Sequence, residues 1–188
     1  AGFFRMASTR LLRAGPYREE VSTSEEKSHL VVLIDTSASM RNEDGYSDQD
    51  ERLLLEAGWP DGGDAPRPAR LAEAPDPSRL GLVKRLLAAG DGRVLRALAE
   101  RFVLHVFAFD EDWRSLGTTE PEGDERRASD PSNEGELLGR IRTSLAALEA
   151  RGPRTRIGLA LQNVAAQFLG RQDQGLAGVV LITDGQDT

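Results

Sequence analysis

The stretch Leu30-Val31-Val32-Leu33-Ile34-Asp35-Thr36-Ser37-Ala38-Ser39 (residues 30–39) decides the fold. Its first five residues are leucine or β-branched without interruption, which is typical of a strand buried on both faces, as in parallel sheets. The run ends at Asp35, and hydroxyl side chains follow at once. Because open α/β sheets bind their ligands at the carboxyl ends of the strands, residues 35–39 predict a polar site directly after the first strand.

Strands and helices alternate along the rest of the chain. Ser78 is a typical N-cap of a helix that Gly90-Asp91-Gly92 interrupts, and helical spacing returns in 137–148 and from Thr155 onward. Further strands are predicted at 102–109, at 178–183 and, as a short edge strand, at 113–116. This order predicts an α/β fold, with a doubly wound, mostly parallel, Rossmann-like sheet sandwiched by helices.

The domain organisation follows from the segments that lack a clear period. Residues 1–28 are expected to form a flexible lead-in or a juxtamembrane arm, which would place a membrane anchor upstream of Ala1. Residues 29–188 are expected to form one partial domain whose C-terminal strands are missing from this chain. The compartment is left unassigned.

Two long insertions interrupt that domain. Residues 41–77 hold five of the nine prolines and carry a net charge of −6, out of −7 for the whole chain. Such a segment is expected to be largely irregular at the surface, with at most a helical turn at 52–57. Residues 117–135 are predicted as a second, polar loop.

Composition excludes several classes of function. The absence of cysteine excludes disulfide scaffolds and zinc–thiolate sites. The acidic balance argues against a nucleic-acid partner, because such proteins normally present a basic patch. No apolar run approaches the ~18 residues of a membrane span. His105 lies in a predicted strand and is expected to be a packed core residue, whereas His29 shows no partner pattern.

Five oxygen-bearing side chains are candidate metal ligands. Asp35, Ser37 and Ser39 follow the first strand, Thr155 opens a helix, and Asp184 follows the last strand. Carboxylates and hydroxyls without nitrogen or sulfur suit Mg²⁺, Mn²⁺ or Ca²⁺. Mg²⁺ fits best, with the three hydroxyls bound directly, the two carboxylates holding bound waters and one position open to an incoming oxygen.

This set of residues resembles the metal-ion-dependent adhesion site (MIDAS) of the von Willebrand factor A (vWA) domain, of the kind found in bacterial vWA proteins. The resemblance rests on Asp-x-Ser-x-Ser at 35–39, on Thr155-Arg156-Ile157-Gly158 and on Ile182-Thr183-Asp184-Gly185. It implies a six-stranded sheet ordered 3-2-1-4-5-6 and a non-catalytic protein-binding module. In such a module, a Glu or Asp of the partner protein completes the metal shell.

Other interpretations remain open at this stage. Arg154 and Arg156 flank Thr155 and would weaken cation binding if they faced the metal. The domain could keep the motif without using it, with Ser37 and Ser39 as helix caps. A magnesium-dependent phosphotransferase also places an acid after its first strand, but position 37 is Ser where that chemistry needs a second acid. No glycine-rich phosphate-binding motif follows a strand in this sequence, which argues against a nucleotide-binding fold.

Overall fold

A central parallel strand organises the sheet in this computed structural model, which describes residues 27–63, 65–120, 131–168 and 175–185. Strand β1 (His29–Asp35) pairs in parallel with β2 (Val103–Phe109) and with β4 (Leu176–Ile182). The edge strand β3 (Trp113–Thr118) pairs antiparallel with β2, so the order is β3-β2-β1-β4. The predicted α/β class is confirmed in this coarse form, with a mixed sheet and helices.

Helices pack on both faces of the sheet because successive side chains of β1 point to opposite sides. Leu30, Val32 and Ile34 pack in one apolar cluster with residues of α2 (Arg79–Ala99) and α3 (Pro131–Ala146). Val31 and Leu33 pack in another with residues of α4 (Ile157–Phe168). All seven residues of β1 are buried, which explains why the strand is apolar without alternation.

The predicted interruption at residues 90–92 is a sharp break within α2. Gly90, Asp91 and Gly92 all have positive φ angles, of 59°, 59° and 73°. Two of the three are glycine, which adopts this region without steric cost, and aspartate tolerates it better than most residues do. The Asp91 carboxylate pairs with Arg96 and Arg142, which ties the break to α3.

The insertion at 41–77 is more ordered than its composition indicates. It contains an eleven-residue helix, α1 (Asp48–Gly58), in place of the single turn expected at 52–57. Ser47 caps this helix, and three acids in its first turn suit the positive end of the helix dipole. A small apolar cluster holds the segment against α2, and its buried members are Leu55, Trp59, Leu71, Ala74 and Leu82.

The two other segments predicted to be irregular lie largely outside the described residues. Of the polar loop at 117–135, residues 117–118 belong to β3, 121–130 lie outside the described residues, and α3 begins already at Pro131. Of the lead-in at 1–28, all but Lys27 and Ser28 lies outside them as well. Within the described ranges, none of the helices is both long enough and apolar enough to cross a bilayer.

Candidate metal centre

The loop after β1 is folded around the carboxylate of Asp35, which is fully buried. Its Oδ1 accepts a hydrogen bond from the backbone N–H of Ser37 at 2.8 Å. The hydroxyls of Ser37 and Ser39 are joined by a hydrogen bond of 2.9 Å. Ser37 precedes a short 3-10 helix (Ala38–Arg41), but its side chain makes no capping bond to that helix. Its hydroxyl is therefore directed to Ser39 and not used as a helix cap.

The segment before α4 is joined to this loop through the backbone. The carbonyl of Thr36 accepts the N–H groups of Arg151 and Gly152, each at 3.0 Å, and Ala38 donates to the Gly152 carbonyl at 2.7 Å. Gly152 is required by this close approach, since a Cβ on it would lie 2.2 Å from the Cβ of Asp110. Two sequence-predicted segments are thus fixed side by side by main-chain bonds.

Thr155 lies three residues beyond that contact and is 2% exposed. The next residue, Arg156, donates its backbone N–H to the carbonyl of Asp110 at 3.1 Å, which anchors the start of α4 to the end of β2. The side chains of Arg154 and Arg156 are exposed, and that of Arg156 pairs with Glu111. The two arginines that flank Thr155 therefore point to solvent.

The third predicted segment reaches the same place from β4. Thr183 donates its hydroxyl to Oδ2 of Asp35 at 2.7 Å, so both oxygens of that carboxylate are bonded. Asp184 follows directly, and its side chain is 4% exposed. All three segments therefore meet at the carboxyl edge of the sheet, where β1, β2 and β4 end.

The charge on Asp184 is met by an arginine that sequence reasoning missed. Arg79, the first residue of α2, donates from Nη1 to Oδ2 of Asp184 at 2.6 Å. Its Nε and Nη2 bind both carboxylate oxygens of Asp44, at 2.7 and 2.6 Å. No local pattern could have found Arg79, because it lies 35 residues from Asp44 and 105 from Asp184 in the sequence.

This three-residue bridge shifts the protonation equilibria of two of its members. The hydrogen bonds from Arg79 hold the pKa of Asp44 below its ordinary value of 3.8. The hydrogen bonds to Asp44, with the charge of Asp184 in addition, raise the pKa of Arg79. Both groups therefore remain charged at neutral pH, and the guanidinium is a fixed positive charge at the edge of the candidate site.

The oxygen atoms that the loop supplies suit a small, hard cation. Two neighbouring ligands of an octahedral Mg²⁺, with bonds of ~2.0–2.1 Å, lie about 2.9 Å apart. The hydroxyls of Ser37 and Ser39 have that separation. It is also the length of an ordinary O–H···O hydrogen bond, so the pair is compatible with Mg²⁺ and does not by itself select that ion.

A cavity of about 310 Å³ adjoins the site and is open to solvent. Arg79, Thr183 and Asp184 line it on the side of the sheet, and Asp44 and Tyr46 line it on the side of the insertion. The acidic insertion thus forms one wall of the space next to the candidate ligands.

Comparison with known proteins adds little to this geometry. No family model and no curated protein matches the chain. Among solved structures, it is similar to proximal thread matrix protein 1 from the mussel byssus, at 18% sequence identity and a TM-score of 0.40. The similarity covers 87% of this chain but 32% of that protein.

Proposed function

We propose that the chain is a divalent-cation-dependent protein-binding module of the vWA type. Asp35, Ser37, Ser39, Thr155 and Asp184 would hold Mg²⁺, or Mn²⁺ in its place. The bound cation supplies an open coordination position to a carboxylate of the partner protein. The sheet order β3-β2-β1-β4 supports this proposal, because it agrees with the first four strands of the doubly wound 3-2-1-4-5-6 arrangement that the resemblance implies.

The observation that carries the proposal is the convergence of three distant segments on one carboxylate. Asp35 is bonded to Ser37 in its own loop and to Thr183 beside Asp184, and the loop of Thr155 is joined to the same backbone. A buried carboxylate needs hydrogen bonds in any fold, but here they come from two segments that are far apart in the sequence. These bonds fix Asp35 beside the two serines, and the proposed cation uses the oxygens of all three.

The roles of the individual residues follow from their charges. Two carboxylates, Asp35 and Asp184, attract the cation, while the hydroxyls of Ser37, Ser39 and Thr155 are neutral and leave much of its charge for the partner. The charge of Arg79 is already paired with Asp44 and Asp184, so the bound cation is the group that would attract an acidic side chain of the partner.

Calorimetric titration of Mg²⁺ and Mn²⁺ into the 188-residue chain tests the metal site. We expect one weak site per chain, and we expect Ser37→Ala to abolish it because a direct ligand is lost. Ser115→Ala is the matched control, since Ser115 is exposed on β3. Equal metal affinity in Ser37→Ala and in the unaltered chain would contradict the assignment.

A second measurement tests the role of the partner's carboxylate. With Mn²⁺ bound, water-proton relaxation reports the water molecules on the ion. N-acetylglutamate amide, which presents one glutamate side chain, should displace such a water and lower the relaxation enhancement. Its neutral analogue, N-acetylglutamine amide, should not. The same response to both probes would argue against recognition of an acid.

One observation favours a second candidate, a structural domain that does not use the site. The guanidinium of Arg79 already neutralises Asp184, as a bound cation would. A phosphotransferase is less well supported, because Lys84, which such a site would need beside the phosphate, donates its Nζ to the carbonyl of Leu148. The absence of any metal response, both in the unaltered chain and after removal of Arg79, would favour the structural role.

A further inference from the structure

Two histidines and a glutamate form a cluster at the opposite end of the sheet. His29 is the first residue of β1, and the β1–β2 register places His105 two residues further along on the same face. Nδ1 of His29 and Nε2 of His105 lie 2.7 Å apart. Each histidine and Glu120 offer one potential ligand atom, and these three atoms all lie within 4.8 Å of one another.

The two histidines are buried and pack against an aromatic side chain. His29 is 1% exposed and His105 is 3% exposed. Phe168, the last residue of α4, packs against both rings, with centroids 5.8 Å from His29 and 4.7 Å from His105. Buried imidazoles inside an apolar core are costly unless their nitrogens are engaged, and here the two rings bond each other and His105 also bonds Thr118.

Thr118 bonds two members of the cluster. Thr118 places its hydroxyl 3.0 Å from Nδ1 of His105 and accepts the backbone N–H of Glu120 at 3.0 Å. One side chain thus fixes the His105 ring and the backbone that carries Glu120. In metal sites, the second ring nitrogen of a ligating histidine regularly donates to an oxygen in this way, which directs the first nitrogen to the metal.

We infer that His29, His105 and Glu120 form a second metal site, for Zn²⁺ or a similar transition-metal ion. Two imidazoles and one carboxylate are a ligand set typical of zinc, and a water completes the tetrahedron. Nitrogen ligands suit this class of metal and are unsuited to Mg²⁺, so the two proposed sites select different ions. Glu120 is half-buried, so of the three ligands it is the one most exposed to solvent.

The metal would take the place of the proton that the two imidazoles share. Two nitrogens bound to a tetrahedral ion at ~2.0–2.1 Å lie about 3.3 Å apart. The rings would therefore separate by roughly 0.6 Å from their hydrogen-bonded distance of 2.7 Å. That proton would move to the other nitrogen of its own ring, so that both imidazoles stay neutral, and the ion would tie the start of β1 to β2 and to the segment after β3.

Cobalt(II) is the probe for this site, because tetrahedral Co²⁺ with nitrogen ligands absorbs visible light strongly and octahedral Co²⁺ does so weakly. Titration of Co²⁺ into the 188-residue chain should give intense bands that saturate at one ion per chain. Zn²⁺ should displace the ion and abolish the bands, whereas excess Mg²⁺ should leave them unchanged. Weak bands only, or bands that Mg²⁺ removes, would overturn the inference.

Glu120→Gln replaces the carboxylate ligand with a neutral amide, a much weaker ligand, and leaves the buried rings in place, so it should weaken Co²⁺ binding at least tenfold. Glu111→Gln is the matched control, and Asp184→Asn should also leave the bands intact because it alters only the other site. His105→Gln should abolish the Co²⁺ bands. Where that variant fails to fold, Glu120→Gln still tests the site. Equal Co²⁺ affinity in Glu120→Gln and in Glu111→Gln would refute the site. This result is independent of the Mg²⁺ response of Ser37→Ala.

Discussion

Arg79 is the residue whose charge most affects the candidate metal centre. Its guanidinium bonds Asp184 on one side and Asp44 on the other, and the side chain is 22% exposed. Because it is so little exposed, its charge acts on the site with less screening than a surface arginine would exert. A cation entering beside Asp184 must therefore bind against a positive charge that is already in place.

Replacing Arg79 with methionine should raise the affinity for Mg²⁺, because the substitution removes both this repulsion and the group that competes with the metal for Asp184. We expect a gain on the order of 10-fold, or about 1.4 kcal/mol, because solvent and salt screen much of the ~4 kcal/mol with which two unit charges 4 Å apart interact near a protein surface. Calorimetry of the variant measures it. Arg96→Met is the control, since Arg96 pairs with Asp91 in the break of α2. An unaltered or lower Mg²⁺ affinity in Arg79→Met would show that the bridge does not compete with the metal.

Some side chains of the two candidate sites can be predicted from the sequence and others cannot. Asp35, Ser37, Ser39, Thr155 and Asp184 could be selected because each directly follows or precedes a recognisable strand or helix. Arg79 and the partnership of His29 with His105 could not, because both depend on the distances between elements that are remote in sequence. The strand register decides the histidine pair, and periodicity carries no information on register between strands.

At the scale of elements, α1 shows how composition misled the prediction. Residues 41–77 are rich in proline and acid, but most of their described acids are exposed, whereas Leu55, Trp59, Leu71 and Ala74 are buried. Trp59 is 4% exposed and carries the guanidinium of Arg85 over its ring, at 5.0 Å from the centroid. A small number of well-placed contacts orders a segment whose proline and acid content predicts an irregular loop.

Glu51 joins α1 to the segment that follows it and should make the stability of this insertion dependent on pH. Its carboxylate accepts the backbone N–H of Leu71 at 2.7 Å and the guanidinium of Arg70. The backbone bond first, and Arg70 second, hold the pKa of Glu51 below its ordinary value of 4.5. A lowered pKa means that the contribution to stability is fully present above pH 4.5 and is lost as the pH falls through the folded-state value.

Urea unfolding of Glu51→Gln and of the unaltered chain, at pH 7 and at about pH 3, measures this contribution. The variant should be less stable at pH 7, and the difference should shrink on acidification as the folded-state carboxylate takes up a proton. Glu56→Gln, with an exposed side chain in the same helix, serves as the control. A difference that stays constant between the two pH values would contradict the assigned role.

At the scale of the whole molecule, the two edges of the sheet differ in how well they are protected against pairing with another chain. In the described part of the chain, β4 has a strand partner only in β1, and its Val180 and Leu181 are 41% and 36% exposed. The opposite edge is the short antiparallel strand β3, where Arg114 and Ser115 are exposed. An edge strand with exposed apolar side chains favours pairing with another chain.

The 188-residue chain is therefore expected to self-associate through β4. Sedimentation velocity should show oligomers that increase with protein concentration, and Val180→Lys should shift them toward monomer, because an exposed charge on an edge strand opposes pairing. Val94→Lys is the control, since Val94 is 45% exposed but lies on α2. A monomer at all concentrations, or equal association of the two variants, would exclude β4 as the contact.

The elements of the fold were predicted correctly where a single local sequence pattern specifies the structure. The apolar run of β1, the N-cap at Ser78 and the break at residues 90–92 each appear at the predicted place. The folding of the insertion did not follow from the sequence, because it depends on tertiary packing, which overrides local propensity. The start of α3 at Pro131 was missed, although proline at the first helical position is a local signal.

The junction between the loops is built almost entirely from main-chain atoms. Thr36 bonds through its N–H and C=O to Phe109, Arg151 and Gly152, and Ala38 bonds to Gly152. Such a frame does not depend on which side chains project from it, apart from the glycine. The side chains of Ser37 and Ser39 take no part in these main-chain bonds, whereas the Asp35 carboxylate bonds Ser37 and Thr183 and has to be kept. A protein engineer could therefore exchange the two serines for other oxygen donors, for instance to hold a luminescent lanthanide, without redesigning the scaffold.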